Sequence, residues 1–151
     1  MTMRDIHNNI APVQALPART ISQGTGALNT GAVDLKGFAG AQVVVHYGEI
    51  VEMGASPVGG AQIAIKVEHA DDDGSGSPGA FANVTAADVT GVAGVTAGVV
   101  ANATSDLAPT SFGYVGDKRH VRVTLTPTAL TTGGPVGVIV NKGYPRHAPA
   151  A

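Results

Sequence analysis

The residues that could carry chemistry in this sequence are few, and the most suggestive of them form an acidic loop. The segment Asp71 to Gly79 reads DDDGSGSPG, which matches the opening D-x-D-x-S-G of a calcium loop. An EF-hand also needs a bidentate acid at its twelfth position, where this chain has Ala82, and a helix on each side. Because both requirements fail, we interpret the segment as a solvated turn and assign it no metal.

Catalytic signals are equally sparse. His46, His69 and His120 lie on separate segments that alternate like strands, without an H-x-H or H-E-x-x-H spacing. The chain has no Cys to act as a nucleophile and no G-x-S-x-G elbow to expose a serine. We therefore expect no catalytic residue, no cofactor and no metal site, and we do not expect an enzyme.

A small basic cluster offers a different kind of chemistry. Lys118, Arg119 and Arg122 follow a turn that contains Asp117. A solvated turn and strand face is the ordinary interpretation of so short a charge run. The functional interpretation is a patch that docks on an acidic surface of a partner protein. Both interpretations stay open at the level of the sequence.

The two ends of the chain supply the other candidate contacts. Residues 1–16 are polar and show no clear period, so they are either disordered or an extended arm that lies across a neighbouring subunit. The arm hypothesis assigns its anchors to four apolar residues, Ile6, Ile10, Val13 and Leu16. Residues 143–151 form a proline-containing tail, in which Tyr144 and Arg146 are the candidate contacts.

The composition limits the class of protein. The chain has 151 residues, of which 44% are hydrophobic, 4% aromatic and 13% charged, with a net charge of -2. A charged share this far below the usual roughly 25% suits a surface that lies against partners, and a secreted β protein could look similar. The weak net charge argues against nucleic acid or an anionic membrane as a partner. No apolar run approaches the roughly 18 residues of a membrane span, so we expect a soluble protein made in a cytoplasm.

The elements that must position these residues are strands. Val121, Val123 and Leu125 alternate with polar residues, which predicts a strand with one buried face, and His120 and Arg122 are expected on its wet face. Phe112 to Thr126 as a whole predicts a β-hairpin around Gly116-Asp117, a plausible tight turn.

Further strands are expected near residues 41–50, 61–70 and 136–141, the last of them central because it is apolar on both faces. Short strands separated by Gly/Pro turns predict an all-β fold, an antiparallel β-sandwich or a small, jelly-roll-like barrel. The expected organisation is an N-terminal arm over 1–16, the β-domain over 17–142 and a tail over 143–151.

Four segments, taken in order, resemble small structural proteins encoded near the capsid genes of tailed bacteriophages. They are DLKGF followed by VVVHYGEI, IAIKVEHADDDGSG followed by FANV, GYVGDKRHVRVTLT, and GVIVNKGYPRHAP. Together they cover roughly residues 30 to 148. The sequence is similar in this way to capsid decoration, or cement, proteins.

The resemblance implies a β-rich protein on the outer surface of a phage head, bound to the major capsid protein and self-associated, often as a homotrimer. It supplies no active-site residue. Two alternatives remain: a tail or head–tail connector component, and a β-sandwich module that binds carbohydrate or a host surface.

Overall fold

A computed structural model describes residues 6–146, which form eleven strands and one short 3-10 turn, Gln23–Thr25, and no α-helix. The strands are β1 (Ile10–Ile21), β2 (Leu28–Asn29), β3 (Val33–Asp34), β4 (Phe38–Tyr47), β5 (Gln62–Ala70), β6 (Ala82–Asn83), β7 (Val89–Thr90), β8 (Val99–Ala103), β9 (Thr110–Tyr114), β10 (His120–Thr128) and β11 (Gly134–Pro145).

These strands form two antiparallel sheets that pack face to face. The first sheet has the order β1-β11-β4-β9-β7. In the second, β10 pairs with β2, β3 and β5, and β5 also pairs with β6 and β8. The all-β class and the β-sandwich are therefore confirmed. The predicted central position of the last strand is also confirmed, since β11 lies between β1 and β4.

The core lies between the sheets and consists mainly of branched aliphatic side chains. From β10, Val121, Val123 and Leu125 are fully buried, as the alternation predicted. Val123 pairs with Val67 and Leu125 with Ile65 on the neighbouring strand β5. The first sheet contributes a matching row of buried side chains, Val43, Val45, Phe112, Tyr114, Val136, Val138 and Val140.

The predicted hairpin over Phe112 to Thr126 is wrong. Its first arm, β9, pairs with β4 in the first sheet, whereas β10 pairs with β5 in the second. Both arms face the core, but they face it from opposite sides. His120 also departs from its predicted wet face and is 3% exposed, because β10 is flanked there by Asp34 of β3 and Ala70 of β5.

The boundary predicted between an arm and the domain at residue 16 falls inside a strand. β1 begins at Ile10 and pairs with β11 along its whole length. Register shifts between Gln14 and Leu16, and between Leu16 and Arg19, break the alternation that would mark a strand in the sequence. Likewise β11 continues past residue 142, with Gly143 opposite Gly40. The predicted arm and tail extend into residues 1–5 and 147–151, which lie outside the described residues.

We expect Val123→Asp to prevent folding, because it places an unpaired carboxylate in a side-chain position with no solvent exposure. Thr126→Asp is the matched control, since Thr126 is exposed on the same strand, and it should change the free energy of unfolding by no more than about 0.5 kcal/mol. Thermal unfolding followed by circular dichroism measures both. A cooperative transition in Val123→Asp near that of the wild type would contradict this account of the core.

Candidate functional site

The guanidinium of Arg119 is held by two carboxylates of the same chain. Its Nε and Nη2 donate to the two carboxylate oxygens of Asp34, at 2.8 and 2.7 Å, and its Nη1 contacts Asp72. A two-pronged bond of this kind fixes the side chain in both position and plane. The neighbouring Lys118 pairs with Asp71, with 2.9 Å between Nζ and Oδ2.

Arg122 is occupied in the same way. Its Nε donates to Glu68 at 2.8 Å, and its guanidinium carbon lies 4.0 Å from the centroid of the Phe81 ring. Lys66 donates to the other oxygen of Glu68 at 3.0 Å. The predicted basic cluster is therefore a set of internal ion pairs. Of the four charged residues predicted here as partner contacts, only Asp117 has a mostly exposed side chain.

These contacts change the acidity of Asp34. The hydrogen bonds from Arg119 lower the pKa of the Asp34 carboxyl to about 2, with a smaller contribution from the backbone N–H of Lys36, which donates to Oδ1 at 2.8 Å. Partial burial acts in the opposite direction and is outweighed. The ion pair joins β3 to the start of β10, so it closes one edge of the second sheet.

The acidic loop uses its carboxylates to stabilise its own turns. Asp72 Oδ1 accepts the backbone N–H groups of Gly74 and Gly76, and Asp73 Oδ1 accepts those of Ser75 and Ser77. Asx-type bonds of this kind are the ordinary role of aspartate in turns. Within residues 6–146, no group of three or more His, Asp and Glu side chains is placed to hold a metal ion.

His69 belongs to a buried structural contact between the sheets. Its Nδ1 lies 3.0 Å from the hydroxyl of Tyr114, and the two rings meet edge to face. The same hydroxyl accepts the backbone N–H of Lys118 at 3.2 Å, and burial raises the pKa of Tyr114 to about 12. This contact joins β5 of the second sheet to β9 of the first sheet, and also to the segment that connects β9 to β10.

An open groove of about 840 Å³ lies at one end of the first sheet. Its floor comes from β4, β9 and β11, and includes Gly40, Gly113 and Gly143. Its side chains are amides, hydroxyls, small groups and apolar groups, including Gln42 and Asn141. Among the described residues that line it, none carries a charge.

The rim of the groove carries three large exposed side chains. Ile6 is 65% exposed, Val115 53% and Tyr144 79%. The structure thus brings together Ile6, Ile10 and Tyr144, three predicted contact residues from opposite ends of the chain. Val115 was missed, because the sequence assigned it to a hairpin arm.

Each part of the rim is fixed by backbone hydrogen bonds. The carbonyl of Ile6 accepts the N–H groups of Asn9 and Ile10, at 3.0 and 3.1 Å. Val115 donates its N–H to Asp88 O at 2.8 Å, and Arg146 donates to Gly37 O at 2.8 Å just beyond Tyr144. The groove is therefore a preformed surface.

The remaining predicted contacts lie elsewhere. Leu16 is 5% exposed and belongs to the core, so its side chain is not available to a partner. Val13 is half-buried and packs against the same core. Arg146 is exposed beside the end of β11.

A second set of exposed apolar side chains, Val51, Val58 and Leu107, lies at the opposite end of the sandwich. We call it the loop patch. The bond from Ile50 N–H to Asp106 Oδ2, at 2.6 Å, joins the two loops that carry Val51 and Leu107. Local sequence patterns carry little signal for this patch, since each residue is a single apolar position in a Gly- and Pro-rich loop.

Comparisons with protein-family models, with curated proteins and with solved structures each found no match for this chain. Over residues 6–146, no helix is long and apolar enough to cross a membrane. Two exposed surfaces, the groove and the loop patch, are the candidate sites of contact with other molecules.

We expect Asp34→Asn to lower the free energy of unfolding at pH 7 by about 1 kcal/mol, a value reduced for the partial solvent exposure of the pair. Because the folded-state pKa of Asp34 is about 2 and the unfolded value is about 3.9, the stabilisation is present above pH 4. It is lost as the pH falls through the folded-state value.

Urea unfolding of wild type and Asp34→Asn between pH 7 and pH 2 measures this effect. The difference between the two proteins should shrink steadily below about pH 4. Asp117→Asn is the matched control, because its carboxylate is mostly exposed and 3.9 Å from Lys118. A difference between wild type and Asp34→Asn that stayed constant over this range would contradict the role given to the Arg119 ion pair.

Proposed function

We propose that the chain is a structural virion protein, a capsid decoration protein that binds the outer surface of a phage head and stabilises its lattice. Its partners are the major capsid protein and further copies of itself, assembled as a homotrimer, and its location is the capsid surface. The role is structural rather than enzymatic. The resemblance of four sequence segments to such proteins and the β-sandwich fold support this proposal.

The loop patch is the observation that carries the proposal furthest. Val51, Val58 and Leu107 are each at least 65% exposed, yet Ile50 and Met53 anchor the loop of Val51 and Val58 in the core. The bond from Ile50 N–H to Asp106 holds the loop of Leu107 beside it. Exposed apolar groups on a rigid platform are typical of protein interaction sites.

Hydrogen bonds explain why this platform is rigid. Val58 donates its N–H to Glu52 O at 3.0 Å, which closes the loop after β4 on itself. The Glu52 carboxylate accepts the N–H groups of Thr132 and Gly133 in the loop before β11. Three loops from both sheets therefore form one surface, so little conformational entropy is lost when a partner binds it.

The binding free energy expected of the loop patch is compatible with a role in a capsid lattice. Full burial of a Val or Leu side chain contributes roughly 1.5–3 kcal/mol, so three such side chains give a modest contact for one copy. A symmetric lattice repeats the contact at every equivalent position, and self-association links several contacts in one molecule. Many modest contacts can then stabilise a shell.

A tail or head–tail connector component would use the same surfaces in another part of the virion. Its stoichiometry differs, because a head lattice offers many more equivalent positions than a connector ring. The amount of protein bound per particle separates the two.

We expect the triple variant Val51→Ser, Val58→Ser, Leu107→Ser to bind decoration-free heads at least about tenfold more weakly than wild type, since about 1.4 kcal/mol of lost apolar contact gives that factor. Co-sedimentation with heads purified from lysates lacking this chain measures the bound stoichiometry. Folding should persist, because all three side chains are exposed.

The matched control is the double variant Ala55→Ser, Ala108→Ser, which adds hydroxyl groups to exposed residues of the same loops. It should bind like wild type. Wild-type occupancy by the triple variant would contradict the role of the loop patch. No binding of wild-type protein to heads would contradict the decoration function itself.

A further inference from the structure

We infer that the groove at the end of β4, β9 and β11 is a binding site for a neutral oligosaccharide. The proposal is based on the uncharged lining, the exposed ring of Tyr144, the paired amides of Gln42 and Asn141, and an open floor at Gly143.

The charges of the described lining residues indicate which class of ligand fits the groove. The groove has no charged residue among its described lining, whereas the outer face of the second sheet carries Lys66, Glu68 and Arg122 in ion pairs. An anionic ligand such as a phosphate or a sialic acid needs a cationic partner when it leaves water. A neutral ligand needs no cationic partner when it leaves water.

Tyr144 supplies an exposed aromatic ring at the rim, on which a sugar ring can stack. Tyr144 is 79% exposed at the rim, and its backbone has a φ of 55°, in the left-handed region that bulky residues rarely occupy. Neighbouring pairs, Gly143 with Gly40 and Pro145 with Phe38, hold this backbone in place. The electron-rich face of an aromatic ring attracts the weakly positive C–H groups on one face of a pyranose.

The amides supply directional hydrogen bonds. Asn141 Nδ2 donates to Gln42 Oε1 at 3.2 Å, which fixes the two side chains relative to each other. Each primary amide has two N–H donors and an oxygen with two acceptor sites, so the pair keeps several groups for a ligand. Sugar hydroxyls, which both donate and accept hydrogen bonds, complement these two amides.

The floor has room for a ring. A Cβ placed on Gly143 would have no heavy atom of the described residues within 4 Å, so residues 6–146 leave open space above it. The groove volume of about 840 Å³ falls in the roughly 300–1,000 Å³ range of small-molecule sites. The open form suits a chain of several sugars.

An apolar segment of another protein, including a second copy of this chain, is the competing occupant. Protein interfaces favour several aromatic residues, Met and Arg at their centre, whereas the described rim residues include one exposed aromatic ring and no Arg. The lining matches a neutral sugar better than a peptide.

The proposal stands apart from the capsid contact. Gln42 of the groove lies five residues before the end of β4 at Tyr47, so at roughly 3.3 Å per residue about 17 Å of strand separates it from the loop that carries Val51. A protein attached through the loop patch would still present the groove to solvent.

The first experiment screens the full chain on a glycan array that contains neutral and sialylated glycans. Hits are then titrated by NMR, together with cellohexaose, maltohexaose and chitohexaose as defined neutral probes. We expect neutral glycans to bind, with the largest shifts at Gly113, Gly143 and the side-chain amides of Gln42 and Asn141.

Variants then assign the site. Tyr144→Ala should weaken binding at least about tenfold, equivalent to about 1.4 kcal/mol, while Tyr144→Phe keeps the ring and should bind nearly as well as wild type. Gly143→Leu fills the empty space and should abolish binding without unfolding the protein. Gly31→Leu is its matched control, since a Cβ there also meets no heavy atom within 4 Å and Gly31 is not part of the groove.

Three results would overturn the inference. They are the absence of binding to any neutral glycan at about 1 mM, binding restricted to sialylated glycans, and unchanged binding by Gly143→Leu. Sedimentation of the same variants tests the competing occupant: dissociation of an oligomer by Gly143→Leu, without glycan binding by wild type, would assign the groove to a second copy. None of these results affects the capsid-binding experiment, which depends on the loop patch.

Discussion

Nine consecutive residue pairs join β5 to β10, and the inward side chains of these strands fill the middle of the sandwich. They are Ile63, Ile65 and Val67 on one strand and Val121, Val123 and Leu125 on the other, all without solvent exposure. Branched side chains suit a pleated, half-buried surface. With no disulfide available to this cysteine-free chain, the sheets must be held by this packing and by strand pairing. The rest of the structure depends on this constraint.

The length of the strands determines where the loops and their exposed side chains lie. β4, β10 and β11 run the length of the molecule, so the loops collect at two well-separated ends. The outer face of the second sheet is closed by ion pairs around Glu68 and Arg122, which leave little unmatched charge. Among the described residues, the exposed large apolar side chains lie at the ends, three on the rim of the groove and three in the loop patch.

The alternation of Val121, Val123 and Leu125 was enough to predict β10, because one buried face and one wet face leave a period of two in the sequence. The sequence contains no comparable pattern that shows which strands pair with each other. β9 and β10 read as a hairpin although they belong to different sheets, and the shifts in β1 hid a twelve-residue strand. Ile6 and Tyr144 meet at the groove only because β1 and β11 pair, so the groove could not be derived from local patterns.

Tyr144 departs from what stability alone would favour. A left-handed backbone costs roughly 1–2 kcal/mol for a residue with a side chain. Within residues 6–146, the other non-glycine residues with positive φ are Ala97 and Ala129, both small. Tyr144 recovers little of this cost by burial, because its ring is largely in solvent. A glycine would fit the same backbone without strain. Strained positions that persist without a packing gain are characteristic of functional sites, so the rim of the groove is where this fold gives up stability to keep an aromatic ring exposed.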